Sequence, residues 1–211
     1  MKNLFINLCL CFVKLTGIIP ALIFMKPKIH KQVGATRHLP KPCIVVSNHK
    51  SLLDFVLLLI IFPFRTIRFL MAEVLYNKSK FFAFFLNSIG GIKVDRDNKD
   101  FSFVGDSLEV LDNKGTIGIF PQARLPIPGK TWPFTTSTAF IAMHCDAPIV
   151  PVYTDGNYGL FKRASVCIGE PIYLNSYQQE GLKETEQIEH LTKVLEEKVM
   201  GLENLINKNE V

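Results

Sequence analysis

The sequence predicts an α/β protein: a layered mixed sheet with helices on both faces, plus an N-terminal membrane-associated helical segment. Three observations lead there. Short β-branched apolar runs, such as Cys43-Ile44-Val45-Val46 and Ile149-Val150-Pro151-Val152, alternate with stretches whose apolar residues recur at helical spacing. With 48% of its 211 residues apolar, the chain can bury one substantial core. An almost unbroken apolar stretch, Leu4 to Met25, comes before any of that alternation. The chain therefore divides into a membrane-associated segment over 1–30 and a folded domain over 31–211.

The N-terminal stretch is interrupted only by Asn7, Lys14 and Pro20. Its length would just cross a bilayer, but Lys14 would then lie near the middle, at a cost of about 2.5–3.5 kcal/mol. Lys14 also breaks the apolar region a secretory signal needs, and no small-x-small cleavage site follows. One or two helices lying in the membrane interface fit better, with Lys14 snorkelling and Lys26, Lys28 and Lys31 meeting head groups. A single span is the alternative.

Val33 to Pro42 is a polar connector. Cys43 to Val46 reads as a buried strand, and Phe55 to Phe62, apolar all round and stopped at Pro63, as a buried helix. Thr66 to Ala72 is a further strand. Ser79 to Ser88 is a helix rich in phenylalanine, halted at Gly90-Gly91, and Ile92 to Val94 a short strand. Phe101 to Leu111 is helical by its spacing, and Thr116 to Phe120 is a strand. Thr135 to His144 is helical, and Pro148 to Tyr153 and Ala164 to Ile168 are strands. Ile188, Leu191, Leu195, Val199, Leu202 and Ile206 mark one amphipathic C-terminal helix.

Between the Cys43 strand and its helix lie Asn48, His49 and Asp54, polar groups flanked by core. Polar groups survive there only when hydrogen-bonded. A histidine just after a strand and a carboxylate one helical turn on can meet. The carboxylate would hold the proton on one ring nitrogen and leave the other as a general base. Ser51-Leu52-Leu53-Asp54 equally fits a capping box, with Ser51 as N-cap and Asp54 reaching back to it.

Asn48-His49, four residues and Asp54 resemble the first motif of the glycerolipid acyltransferases, the family of 1-acylglycerol-3-phosphate acyltransferases. Three further stretches resemble the remaining motifs in order: Gly90-Gly91-Ile92-Lys93-Val94-Asp95-Arg96, Ile119-Phe120-Pro121-Gln122-Ala123-Arg124, and Ala147-Pro148-Ile149-Val150-Pro151-Val152. The resemblance implies an O-acyltransferase, placed at the cytoplasmic face of the cell membrane, and the charge pattern of the N-terminal stretch suits docking on an anionic surface. It would move a fatty acyl group from a thioester, acyl-CoA or acyl-carrier protein, to a lysophospholipid. The implied acceptor is 1-acylglycerol-3-phosphate and the product phosphatidic acid. It also implies His49 as base, Asp54 as its orienting partner, and Asn48, Arg96, Gln122 and Arg124 as substrate-binding residues. Neither a metal nor a bound cofactor is implied, because the thioester is already activated. A different lysolipid acceptor, a thioesterase and a non-catalytic membrane-surface protein keeping the fold are the rival readings. Departures from the family pattern are Gln122 for its glutamate, Ala123 for its glycine, Thr135 and Ser137 where lysine and glycine are common, and Glu73 for a lysine.

Charge and cysteine content narrow the field. Residues 1–53 carry eight Lys/Arg and no acid, whereas the rest carries sixteen against nineteen. Basic residues placed beside greasy ones suit an anionic membrane and not nucleic acid. Five cysteines with no C-x-x-C pair indicate reduced thiols and argue against a metal site. Pro128-Gly129-Lys130-Thr131 lacks the first glycine of a phosphate loop, since Arg124 stands there. Asp95 to Asp100 misses a calcium loop because Lys99 and Asp100 fill a ligand and the glycine slot. No G-x-S-x-G elbow occurs, against an α/β-hydrolase.

Overall fold

A computed structural model describes residues 2–95, 101–124, 127, 132–159 and 161–207. Seven strands form one mixed sheet: β1 (Lys28–Lys31), β2 (Cys43–Ser47), β3 (Ile67–Ala72), β4 (Ile92–Val94), β5 (Thr116–Ile119), β6 (Ile149–Thr154) and β7 (Ser165–Ile168). Their order is β1-β7-β6-β2-β5-β3-β4, with all pairings parallel except β6 with β7. The central strand β2 is buried at every position. Its side chains alternate between two cores, as the pleat requires. Cys43 and Val45 face one layer; Ile44 and Val46 face the other.

The first layer holds α1 (Lys2–Met25), α2 (Asp54–Ile61), the one-turn α3 (Glu73–Tyr76) and α4 (Lys80–Ser88). The second holds α5 (Ser102–Asp112), α6 (Ser137–Met143) and α7 (Glu184–Met200). Ser79 caps α4 by accepting the Phe82 N–H at 3.1 Å. That helix divides its phenylalanines: Phe82 and Phe85 pack inward, Phe81 and Phe84 face out.

Three features depart from the sequence expectations. Lys28 and Lys31 belong to an edge strand; β1 pairs with β7, and the expected boundary at residue 30 falls inside it. Lys-Ile-His-Lys has one apolar residue, too few to signal a strand that has a neighbour on one side only. The C-terminal helix is broken at Gly201, and a short α8 (Glu203–Asn207) turns Leu202 and Ile206 onto Tyr153 and Cys167. Lys14 does not snorkel outward. Its ammonium donates to the carbonyls of Phe62 at 3.3 Å and Pro63 at 3.0 Å, and to that of Arg65. These carbonyls lie at and beyond the C-terminal end of α2, where helical partners run out and positive charge is favoured. Burial there pulls the Lys14 ammonium below its ordinary pKa.

The N-terminal helix presents two faces. Ile6, Leu10 and Met25 are buried in the core, while Leu4, Phe5, Leu8, Phe12, Leu15 and Ile19 are exposed. Among the described residues, no single helix is long and apolar enough to cross a membrane. Leu4–Gly17 and Ile19–Met25 pass that test only together, and they are bent by 55°.

Candidate active site

The ends of β6, β2 and β5 lie side by side, and the site is built on the residues that follow each. Strand ends of this kind are where an α/β sheet leaves room for chemistry. Asn48, directly after β2, is fully buried. Its Nδ2 donates to the Thr154 carbonyl at 2.9 Å, and its Oδ1 accepts the Thr154 N–H at 2.8 Å. Both ends of the amide are thereby committed to the end of β6, which closes the sheet beneath His49.

His49 lies next to this clamp with its side chain 15% exposed, whereas that of Asp54 is 1% exposed. Its Nδ1 is 2.8 Å from Asp54 Oδ2. The same oxygen accepts the backbone N–H groups of Lys50 at 2.7 Å and Ser51 at 2.8 Å. An acceptor-only carboxylate at Nδ1 places the ring proton there and leaves Nε2 with its lone pair. Among the described residues, Nε2 has no hydrogen-bond partner. The imidazole face stacks on Phe120, which follows β5, at a centroid distance of 4.4 Å, and Phe120 stacks in turn on Phe69.

The capping-box and catalytic readings of Asp54 describe one carboxylate. Its reach back to the Ser51 N–H is half of a capping box. The other half fails: Ser51 Oγ accepts from Leu53 N–H at 3.2 Å, Leu53 is the N-cap, and α2 begins at Asp54 itself. The side chain that starts the helix is also the one that holds the histidine.

Gln122, beyond β5, accepts the backbone N–H of His49 through Oε1 at 2.6 Å. Ala123 takes a φ of 56°, in the left-handed region where glycine is at ease. Thr135 holds this loop from the other side, donating both its N–H and its hydroxyl to the Pro121 carbonyl at 2.9 Å. Arg124 is exposed, with its guanidinium 4.9 Å above the Trp132 ring. Arg96 lies outside the described residues, as do residues 128–131. Glu73, standing where a lysine is usual, pairs with Lys93 at 2.9 Å. Among the described residues, no cluster of His, Cys, Asp and Glu could hold a metal ion.

One member of the site escaped the sequence reading. Tyr158, in the loop after β6, donates its hydroxyl to Asp54 Oδ1. It lies 104 residues from Asp54, and no local pattern announces it.

A buried carboxylate stands behind a histidine at the strand ends of an α/β sheet. The family model described as Acyltransferase matches residues 30–155, which include His49, Asp54, Gln122 and Arg124, and the chain belongs to that family. It is similar to human 1-acyl-sn-glycerol-3-phosphate acyltransferase beta, 26% identical over 113 residues that make up 53% of this chain and 41% of that protein. Against the human alpha form it is 27% identical over 127 residues, covering 59% of this chain and 45% of that one. The chain thus spans less than half the length of these curated relatives. The crystal structure of the 1-acyl-sn-glycerophosphate (LPA) acyltransferase PlsC from Thermotoga maritima shares the fold. Its TM-score is 0.62 at 20% identity, with 97% of this chain and 98% of that one covered.

Proposed function

We propose that this chain is an O-acyltransferase that moves a fatty acyl group from an acyl thioester to the free hydroxyl of a lysophospholipid, with 1-acylglycerol-3-phosphate as acceptor and phosphatidic acid as product. The observation that carries the reading is the His49–Asp54 pair, its outer nitrogen open at the ends of three adjacent strands. The names of the similar proteins support the choice of acceptor. Nε2 takes the acceptor's hydroxyl proton as that oxygen attacks the thioester carbonyl. Asp54 stabilises the imidazolium that results. When the tetrahedral intermediate collapses, the thiolate leaves and the imidazolium returns the proton to it. The donor is acyl-CoA or acyl-carrier protein.

Arg124 is proposed to hold the acceptor phosphate. Stacking on Trp132 occupies the face of the guanidinium and leaves its N–H edge for a phosphate fork. Arg96 is assigned the same role on the resemblance alone. We place the reaction at the cytoplasmic membrane face. Support comes from the exposed apolar residues of α1 and from the eight bases, without an acid, among residues 1–53.

The test supplies full-length protein with labelled acyl-CoA or acyl-carrier protein, with and without lysophosphatidic acid, and with monoacylglycerol as the acceptor lacking phosphate. Labelled phosphatidic acid is the expected product, absent in His49→Ala. Free fatty acid formed without an acceptor would make the chain a thioesterase. No turnover with either donor would leave a membrane-surface protein that keeps the fold. Equal use of both acceptors would remove the phosphate from the reading.

A further inference from the structure

The Asp54 carboxylate receives four donors, and they are unevenly divided. His49 Nδ1–H and the N–H groups of Lys50 and Ser51 all converge on Oδ2. Only Tyr158 O–H reaches Oδ1 among the described residues. Three donors on one oxygen fix a point, and the carboxylate can still turn about it. A fourth on the other oxygen fixes the plane, and with it the direction of the lone pair that faces the imidazole.

Tyr158 is built to stay in that position as a donor. Its ring packs against the core on the α1–α2 side. Its hydroxyl is 3.4 Å from Thr154 Oγ1, on the residue whose backbone Asn48 clamps. Burial, and the Asp54 charge beside it, push the hydroxyl pKa well above its ordinary value, so the proton remains on the tyrosine. The loop lies directly against the histidine segment: a Cβ on Gly156, whose φ is +73°, would meet Lys50 Cβ at 2.5 Å. Its far side is tied to α1, Gly159 N–H donating to the Phe24 carbonyl at 3.3 Å and Ala164 N–H to that of Met25 at 3.0 Å.

We propose that Tyr158 is a positioning residue of this site: its hydroxyl orients the Asp54 carboxylate, and through it the His49 imidazole that accepts the acceptor's proton. This rests on the acyltransferase reading given above. Tyr158 acts through Asp54, and α1 helps to set where it sits.

The experiment is a double-mutant cycle in the full chain, with Tyr158→Phe, Asp54→Asn and the pair compared in the labelled acyl-transfer assay. Tyr158→Phe keeps the ring, so the fold is retained, with a melting temperature lowered by the loss of one charge-assisted bond. It lowers kcat about tenfold and leaves both KM values within about twofold, since the lost bond orients the base and binds nothing. On the Asp54→Asn background the same change costs less than about twofold. The His49 Nδ1–H proton resonance, read by NMR in 15N-labelled protein, shifts in Tyr158→Phe without turnover being required. Native kcat in Tyr158→Phe, an equal loss on both backgrounds, or an unmoved resonance overturns the proposal. Native protein that transfers no acyl group overturns the enzymatic reading instead, and the resonance still decides the role of Tyr158.

Discussion

Gln122 Oε1 accepts the backbone N–H of His49 at 2.6 Å, so the loop after β5 holds the His49 segment by its main chain. The bond needs an acceptor and no charge, and this is why an amide serves where the family's usual residue is a carboxylate. Gln122→Glu keeps the acceptor and is expected to retain at least native kcat. Gln122→Ala strands a partly buried N–H, which costs about 1–3 kcal/mol. The expected outcome is a loss of kcat of roughly tenfold or more with little change in donor KM, read from steady-state kinetics.

His49 and Asp54 should separate activity from stability. A positioned base is worth about 10²–10⁴ in rate, and His49→Ala is expected to lose that much with its melting temperature nearly unchanged. Asp54→Asn should lower the rate less but weaken the fold more. The carboxylate also accepts the Lys50 and Ser51 N–H groups at the start of α2, and charge-assisted bonds of this kind are worth about 1.5–3 kcal/mol. At roughly 2–4 °C per kcal/mol for a chain of this size, calorimetry should show a clear drop for Asp54→Asn only. The opposite ranking of the two melts would mean that the histidine, not the carboxylate, is the structural member.

Ala123 at a φ of 56° gives a stability prediction with a positive sign. A left-handed Cβ costs about 1–2 kcal/mol, part of which the added flexibility of glycine in the unfolded chain takes back. Ala123→Gly should therefore raise the melting temperature by about 1–3 °C. A lowered melt would show that the loop gains more from the Ala123 side chain than it loses in backbone strain.

The position of Lys14 predicts a fold defect rather than a binding defect. Its ammonium serves three carbonyls at the end of α2, so Lys14→Met should lower stability by about 2 kcal/mol and leave vesicle binding nearly intact. Sedimentation with anionic vesicles and thermal melts read the two effects separately. A stable variant that no longer sediments would return Lys14 to the head groups.

Cysteine labelling tests the exposed face of α1. Cys11 is exposed on that helix; Cys43 and Cys167 are buried, with burial pushing the Cys43 thiol pKa up and that of Cys167 up to about 11. A thiol reagent should therefore modify Cys11 first and the two buried thiols last. Anionic vesicles should slow modification of Cys11 severalfold. Cys145 lies on the other side of the sheet and should be unaffected. Unchanged reactivity of Cys11 would place the membrane contact elsewhere on the molecule.

The residues by themselves determined the alternation of strands and helices, and the placing of His49 and Asp54 just after a buried strand. Those are local facts: apolar period, chain punctuation, and a spacing of one helical turn. Tertiary structure alone decided which strands are neighbours, and so which loops meet. Thr154 and Gln122 reach the His49 segment from β6 and β5 only because both strands flank β2 in the sheet. Tyr158 reaches Asp54 for the same reason, across 104 residues. The N-terminal stretch shows the limit most plainly. Its hydropathy marks it as membrane-seeking along its whole length, yet Ile6, Leu10 and Met25 enter the core and Lys14 turns inward to α2. Hydropathy measures what a residue avoids, and water is avoided equally well against lipid or against protein. Only the packing of α1 on α2 decides which residues of the helix enter the core.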